Sequence, residues 1–227
     1  MGYELHNSRY SRLMQPRATR GPYAKSAERR SSIADAALQL IQRDGHAEVT
    51  VAQVATEAGV SERALFYHFP TRDHVLVAAL ERSDELTVDD MGSRDDSQLG
   101  DVDQVVSALA RLDAGHVWKV RLVTYLSARA QEPEHPAHAY FIRHNEAAIQ
   151  GFANMLRHRQ HRGLAHPDLE PEAVARRLVA VWDGLQAQWL VAPTFDLADE
   201  ILAAFRQLSG QNVMEARQAF EQAIAEP

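Results

Sequence analysis

Several features that mark other protein classes are missing from this sequence. It has no cysteine, which excludes disulfide bonds and thiol catalysis. It has no run of about 18 consecutive apolar residues, so no membrane-spanning helix is expected. Residues 1–22 contain arginines but lack the apolar segment of a secretory signal. We therefore expect a cytoplasmic protein without a membrane partner.

Motifs for common enzyme chemistries are also absent. The chain has no G-x-S-x-G segment, which a serine hydrolase of the α/β type would need. Six histidines crowd one region, but no H-E-x-x-H motif or acidic partner stands nearby at the spacing of metal ligands. Neighbouring arginines make this region resemble a solvated basic helix end. We predict no metal, no cofactor and no catalytic residue; the histidines are His135, His138, His144, His158, His161 and His166.

The charges are distributed unevenly along the chain. The net charge is −7, yet residues 1–43 contain eight lysines and arginines against three acidic residues. The acidic excess therefore lies in the remainder. A polyanion responds to the local field of the surface that it contacts, so a basic N-terminal part on an acidic body is compatible with nucleic-acid binding. A solvated basic arm gives the same pattern.

Four helices are predicted in the first 86 residues. The first has apolar residues at the spacing of one helix face. Thr50 begins the second helix, with Gln53 three residues later as its partner in a capping box. Gly59 ends the second helix and Ser61 caps the third. The predicted helices cover about 25–43, 50–58, 61–69 and 72–86.

The remainder of the chain is also predicted to be helical. Residues 87–100 are polar, contain two glycines and are interpreted as a loop between two units. Six further stretches are separated by glycine and proline, and no period-two alternation is long enough for a strand. The fold class is therefore all-α, with helices at about 101–113, 116–131, 136–162, 171–191, 196–208 and 212–225.

The second and third helices have the spacing of a helix-turn-helix. They are short and are joined by a turn of about three residues, Gly59-Val60-Ser61, which is the geometry that places the later helix in the DNA major groove. Gly59 suits a backbone conformation that other residues resist. Any pair of packed helices can share such a turn, so the spacing alone leaves both DNA binding and simple helix packing open.

The stretch from Gly45 to Leu80 resembles the DNA-binding signature of the TetR/AcrR family. The likeness rests on GHAEVTVAQVATEAGVSERALFYHFPTRDHVLVAAL, in which Thr50-Val51, Ala58-Gly59-Val60-Ser61 and His68-Phe69 fall in the family's register. The resemblance implies an N-terminal three-helix helix-turn-helix domain that binds double-stranded DNA. It also implies a C-terminal helical domain for ligand binding and dimerisation. The predicted units are a disordered basic arm (1–24), the DNA-binding domain (25–86) and the second domain (87–227).

Candidate DNA contacts lie on the third helix and near helix starts. Glu62, Arg63 and Tyr67 project from the outer face of the third helix, and Arg63 is the strongest candidate to bind a guanine edge. The resemblance implies that His68 and Arg72 contact backbone phosphates. Arg29 and Arg30 fit either a DNA contact or a solvated helix start. The predicted DNA-binding residues are Thr50, Ser61, Glu62, Arg63, Tyr67, His68, Arg72, Arg29 and Arg30.

Aromatic side chains in the second domain predict a pocket for a small organic effector. Aromatic walls with few polar groups suit such ligands, although the same residues also suit an ordinary core. An anionic ligand would be oriented by Arg121, Arg129, Arg143 and His144 if these side chains turn inward. The predicted pocket residues are Trp118, Leu122, Tyr125, Phe141, Asn145 and Phe152.

The helix at 171–191 has an apolar stripe wide enough to serve a core and a partner. The resemblance implies that this helix and the next pack against their symmetry mates. A two-fold dimer also follows from geometry, because one small helix-turn-helix contacts too few base pairs for useful specificity. The predicted interface residues are Val174, Leu178, Val181, Trp182, Leu185 and Trp189.

The predicted function is that of a ligand-responsive transcriptional regulator, in particular a repressor. It would bind a palindromic operator as a homodimer and be released by a small organic effector. Two alternatives stay open at this point. One is a protein that binds DNA without sequence preference, and the other is a metal-dependent enzyme that uses the histidine-rich region.

Overall fold

The computed structural model describes residues 22–91 and 101–225. Within these ranges it contains ten α-helices and no β-strand, which confirms the predicted all-α class. The helices are α1 (Pro22–Asp44), α2 (Val51–Glu57), α3 (Glu62–His68), α4 (Arg72–Met91), α5 (Val102–Gly115), α6 (Val117–Arg129), α7 (Ala137–His161), α8 (Pro171–Val191), α9 (Leu197–Leu208) and α10 (Gln211–Ala225).

Two predicted boundaries need correction. Residues 87–91 were expected to begin a loop, but α4 continues through them to Met91. The Thr87 hydroxyl donates a hydrogen bond to the Ser83 carbonyl at 2.8 Å, which lets this polar residue stay within the helix. At the other end, α1 begins at Pro22, so residues 22–24 of the predicted arm are helical. The rest of that arm, residues 1–21, and residues 92–100 lie outside the described ranges.

The helices α1 to α4 share a core that fixes the helix-turn-helix. Ile33 and Ile41 of α1 are fully buried, and they share a cluster with Leu65 of α3 and with Leu76 and Leu80 of α4. Burying a side chain of this size stabilises a fold by about 1.5–3 kcal/mol. Leu65 therefore holds α3 to the core by one face of the helix, while the other face of α3 stays exposed.

The same core extends into the second half of the chain. Leu122 and Leu126 of α6, together with Ala137, Tyr140 and Phe141 of α7, belong to the cluster that includes α1 and α4. The boundary predicted at residue 86 is therefore not a break in packing. The helices α6 and α7 pack directly against the helices of the N-terminal half.

A second core lies between α5, α8 and α9. It contains Val106, Leu178 and Ile201, all at most 1% exposed. Beside it, the Asp103 carboxylate accepts hydrogen bonds from Arg159 at 2.5 Å and from Nε of Arg206 at 2.8 Å. These charge-assisted bonds tie α5 to α7 and α9. The packing fixes the positions of the helices that enclose the cavity described below.

Candidate functional site

The turn between α2 and α3 has the geometry that the sequence predicted. The Thr50 N–H donates to Oε1 of Gln53 at 2.8 Å, and the Gln53 N–H donates to Oγ1 of Thr50 at 3.3 Å, which confirms the capping box. Gly59 has φ of 64°, the left-handed region where residues with a Cβ are strained. The Val60 N–H donates to the Ala55 carbonyl at 2.9 Å, which closes the end of α2 as a Schellman motif.

The outer face of α3 consists of side chains that are free to contact another molecule. Ser61 caps the helix by accepting a hydrogen bond from the Ala64 N–H at 3.2 Å. Glu62, Arg63 and Tyr67 are exposed, and Tyr67 keeps 83% of its surface accessible. Within the described residues, Arg63 makes no hydrogen bond or ion pair. Its five donors are therefore available to a base edge or a phosphate.

Arg30 has a structural role that its sequence position did not reveal. Its Nη1 donates to the carbonyl of His68 at 2.7 Å, and its guanidinium lies 4.4 Å from the centroid of the Phe69 ring. These contacts tie α1 to the end of α3. Partial burial, with Arg30 and Arg29 nearby, lowers the pKa of His68, which disfavours a positive charge on that imidazole. Arg29 itself is exposed.

Arg72 was predicted to contact a DNA phosphate, and the structure shows that its side chain also holds two backbone carbonyls of the same chain. Its Nε donates to the Val49 carbonyl at 3.0 Å, and its Nη2 donates to the His46 carbonyl. The half-buried guanidinium therefore fixes the loop between α1 and α2 against the start of α4. These bonds connect Arg72 to residues that lie 23 and 26 positions earlier in the chain, and local sequence patterns do not reveal contacts over such separations.

A cavity of about 670 Å³, a size suited to a small organic molecule, lies between helices of the N-terminal and C-terminal halves. It is bounded by α1, α4, α5, α6, α7 and α8. The part of its wall that belongs to the N-terminal half consists of Leu38 and Gln42 of α1 with Ser83, Leu86 and Thr87 of α4. The cavity is therefore in direct contact with the helices that carry the helix-turn-helix.

Three of the six predicted pocket residues line this cavity, namely Trp118, Asn145 and Phe152. The other three were assigned to the wrong side of their helices. Leu122 and Phe141 are buried in the core shared with α1 and α4. Tyr125 packs against the same core, with its ring 4.9 Å from that of His46.

Two carboxylates in the cavity wall were missed by the sequence analysis. Oδ2 of Asp113 accepts hydrogen bonds from Nε1 of Trp182 at 3.0 Å and from Nε2 of Gln186 at 2.7 Å. Burial raises the pKa of the Asp113 carboxyl above its usual range. Asp183 lies in the same wall and keeps part of its side chain exposed to solvent. Partial desolvation raises its pKa, with a further contribution from the negative charge of Asp113. The sequence does not show that both helices turn these acids toward one cavity.

The arginines considered for an anionic ligand do not turn inward. Arg121 is exposed. Arg129 pairs with Asp73 at 3.2 Å and Arg143 pairs with Glu81 at 2.8 Å, both outside the cavity wall. Of that set, His144 alone lines the cavity. The prediction of an anionic subsite built from these arginines is therefore wrong.

Asp84 connects α4 to two helices of the second half. Its Oδ2 accepts a hydrogen bond from the Tyr140 hydroxyl of α7 at 2.6 Å, and its Oδ1 lies 2.9 Å from Nζ of Lys119 of α6. Burial and the nearby Asp84 charge raise the pKa of Tyr140, so the phenol stays protonated and donates. The ring of His144 stacks on that of Tyr140 at 5.4 Å. A direct polar connection therefore runs from the cavity wall to α4.

Comparison with known proteins identifies the DNA-binding part. Residues 33–79 match the model described as bacterial regulatory proteins, tetR family. The chain is 25% identical over 183 residues to the HTH-type transcriptional regulator PksA of Bacillus subtilis, covering 79% of this chain and 87% of that protein. Over 57 residues it is 40% identical to the nucleoid occlusion factor SlmA of Marinobacter nauticus, covering 25% of this chain and only 29% of that protein. A crystal structure of a TetR-family regulator from Rhodococcus sp. superposes with a TM-score of 0.60 at 25% identity, covering 81% of this chain and 99% of the other.

Residues 33–79 therefore carry a DNA-binding helix-turn-helix of the TetR type, and the chain is similar to TetR-family transcription regulators over most of its length. A helical C-terminal part follows this N-terminal helix-turn-helix. None of the described helices is long and apolar enough to span a membrane.

Two of the six residues predicted for the dimer surface are not available to a partner. Val174 and Leu178 are at most 2% exposed within their own chain, so they offer no surface to a partner. Trp182, Leu185 and Trp189 pack against the core of α5, α8 and α9. The face of α8 that remains accessible is built mainly from small residues: Ala180, Val181, Gly184, Ala187 and Val191.

The histidines that lie close together in the sequence do not share one site in the structure. Nε2 of His135 lies 2.9 Å from the Asp73 carboxylate, and Nδ1 of His138 lies 2.7 Å from the Ala130 carbonyl. His158 and His161 are exposed on α7. Over residues 22–91 and 101–225, no three His, Asp or Glu side chains are grouped so that they could hold a metal ion.

Proposed function

We propose that this protein is a ligand-responsive repressor of the TetR family. It binds a palindromic operator as a homodimer in the cytoplasm and is released when a small organic molecule enters the cavity. The observation that carries this proposal is the course of α4. This helix begins at Arg72, beside the helix-turn-helix, and its residues Ser83, Leu86 and Thr87 line the cavity.

The exposed face of α3 supports sequence-specific binding. Arg63 has unoccupied donors suited to the O6 and N7 acceptors of guanine, and Glu62 can accept from a cytosine amino group. Among the large apolar and aromatic side chains of this DNA-binding part, Tyr67 has the largest exposed fraction. Thr50 and His68 flank this face and fit contacts to phosphate, which position the protein but carry no sequence information.

A homodimer follows from the small size of this contact surface. One recognition helix reads few base pairs, whereas two copies related by a two-fold axis read two half-sites about one helical turn apart. The accessible face of α8 is suited to close packing against a second copy, because Ala180, Gly184 and Ala187 allow helix axes to approach closely. Added atoms at Gly184 would meet nothing within 4 Å in the same chain, so that space is open to a partner.

The release step follows from the contacts of α4. A molecule that fills the cavity presses on Ser83, Leu86 and Thr87 and changes the angle of α4 relative to α6 and α7. Because α4 packs along α1 and begins at the helix-turn-helix, the two recognition helices of a dimer would lose the spacing that two half-sites require.

The test uses the full chain and a library of random duplexes. Repeated selection and sequencing are expected to yield a palindromic site bound by two chains, which sedimentation of the complex measures. The selected duplex should outcompete random DNA by a factor of about 10³ or more at physiological salt. Equal affinity for selected and random duplexes would refute the operator and support a protein that binds DNA without sequence preference.

A further inference from the structure

The cavity wall carries more negative than positive charge that is available to a ligand. Asp113 and Asp183 both line it, and neither forms an ion pair with any of the described side chains. Lys119 is the single lysine or arginine in the wall, and its ammonium is paired with Asp84 at 2.9 Å. His116 and His144 complete the titratable groups of the wall.

Asp113 is held in a defined position by neutral donors. The indole N–H of Trp182 and the side-chain amide of Gln186 both donate to its Oδ2, so the direction of the carboxylate is fixed. These bonds orient the carboxylate without neutralising its charge. Gln186 is itself only 6% exposed. Asp113 is half-buried. A carboxylate that is partly removed from water without a cationic partner is costly, and a positively charged ligand would relieve that cost.

Aromatic rings lie beside the two acids. Trp182 and Phe152 contact each other with ring centroids 5.5 Å apart, and Trp118 lies on α6 in the same wall. The faces of aromatic rings attract cations, and indole does so most strongly. Carboxylates and aromatic faces together are the groups that recognise an organic cation, whereas a neutral ligand would leave Asp113 without a countercharge.

We propose that the effector is an apolar organic cation, such as a quaternary ammonium or phosphonium compound with aryl groups. Its charged centre lies near Asp113 and Asp183, and its apolar groups contact Trp118, Phe152 and Trp182. This inference rests on the proposed function, because it names the chemical class of the molecule that occupies the same cavity. It also assigns Asp113 and Asp183 as the residues that determine specificity.

The test compares two probes of the same shape and opposite charge, tetraphenylphosphonium and tetraphenylborate. Binding to the full chain is measured by calorimetry for the unaltered protein, D113N, D183N and D168N. Asp168 is exposed in the loop before α8 and does not line the cavity, so it serves as the matched control. Removing one charge of a desolvated pair weakens binding by about tenfold to a hundredfold.

The expected result is that tetraphenylphosphonium binds more tightly than tetraphenylborate. D113N and D183N should each weaken the cation by about tenfold or more and D168N should not. Because asparagine has the same shape and still accepts a hydrogen bond, both variants should keep the fold, which circular dichroism checks; if D113N unfolds, D183N decides. The inference is overturned if the cation does not bind, if the anion binds more tightly, or if the two variants match the control.

A second readout separates this inference from the proposed function. Each probe is added to the complex of the full chain with its selected duplex. If the cation binds through the two aspartates but leaves DNA affinity unchanged, the assignment of a cation-binding cavity stands and the ligand response fails. If tetraphenylborate releases the DNA and tetraphenylphosphonium does not, the ligand response stands and the inference is overturned.

Discussion

Two arginines of the DNA-binding part differ in what they contact, and this difference decides their roles. Arg63 is exposed on α3 without a protein partner among the described residues, whereas Arg72 donates to the carbonyls of Val49 and His46. The first is therefore available for base recognition. The second holds the loop that leads into α2.

Arg63→Ala is expected to reduce affinity for the selected duplex by about 1–3 kcal/mol and to relax the preference at one position of each half-site. Thermal stability should not change, because no protein contact is lost. Fluorescence anisotropy with duplexes altered at single positions measures the effect. An equal loss on selected and random DNA would contradict base recognition by this residue.

Arg72→Ala is expected to destabilise the fold, since two backbone carbonyls lose their donor. Leaving buried acceptors unsatisfied costs about 1–3 kcal/mol each. Urea unfolding monitored by circular dichroism measures this loss, with exposed Arg29→Ala as the control. A free energy of unfolding equal to that of the control variant would show that the Arg72 contacts contribute nothing to stability.

Asp113 is expected to make stability depend on pH. Burial raises its pKa in the folded state above the ordinary value of 3.8, so the folded chain holds this proton up to a higher pH than the unfolded chain. The contribution of protonated Asp113 to the free energy of unfolding is therefore lost as pH rises through the raised pKa. D113N should have a larger free energy of unfolding than the unaltered chain at pH 7, and the difference should shrink as pH falls toward 3.8. A difference that grows on acidification would contradict this assignment.

At the scale of helices, the sequence predicted where they lie but not which way they face. Helix ends depend on local signals such as the Thr50–Gln53 capping box and Gly59, which is why the predicted boundaries agree with the structure. The helix α6 is apolar on more than one side: Val120 lines the cavity, while Leu122 belongs to the core of α1 and α4. Rotation about the helix axis is decided by distant packing partners, which a single sequence does not display.

Asp84 is expected to transmit ligand binding to the DNA-binding part, because it joins α4 to α6 and α7. D84N removes the ion pair with Lys119 while leaving an acceptor for Tyr140. The factor by which a ligand weakens DNA binding, about 5–150 in coupled systems, should fall toward 1. The matched control is Glu85→Gln, an exposed neighbour on α4 whose ion pair with Arg82 lies within the same helix. An unchanged coupling factor in D84N would refute this role.

At the scale of the whole molecule, the two halves form one packed unit. The core of α1 and α4 includes Leu122 and Phe141, so a fragment that begins after residue 86 would expose these side chains to water. Dimerisation should therefore be tested by substitution in the full chain. Most residues of the apolar stripe predicted for the dimer interface pack against the core of their own chain. The face of α8 that remains accessible consists of smaller residues.

Ala187→Glu is expected to yield monomers, because it places a charge on the accessible face of α8 where a second copy would exclude water. Ala108→Glu is the matched control, since Ala108 is exposed on α5 away from this face. Sedimentation velocity at several concentrations measures the oligomeric state. A dimer of unchanged stability in Ala187→Glu would place the interface elsewhere.

The central claim is that the cavity and the DNA-binding surface are coupled through α4. The most direct measurement is the affinity of a cavity ligand, found by thermal-shift screening, for the full chain with and without the selected duplex. Coupling requires that the duplex weaken the ligand by the same factor by which the ligand weakens the duplex, about 5–150. The account predicts this reciprocal factor. Equal ligand affinities in the two titrations would contradict it.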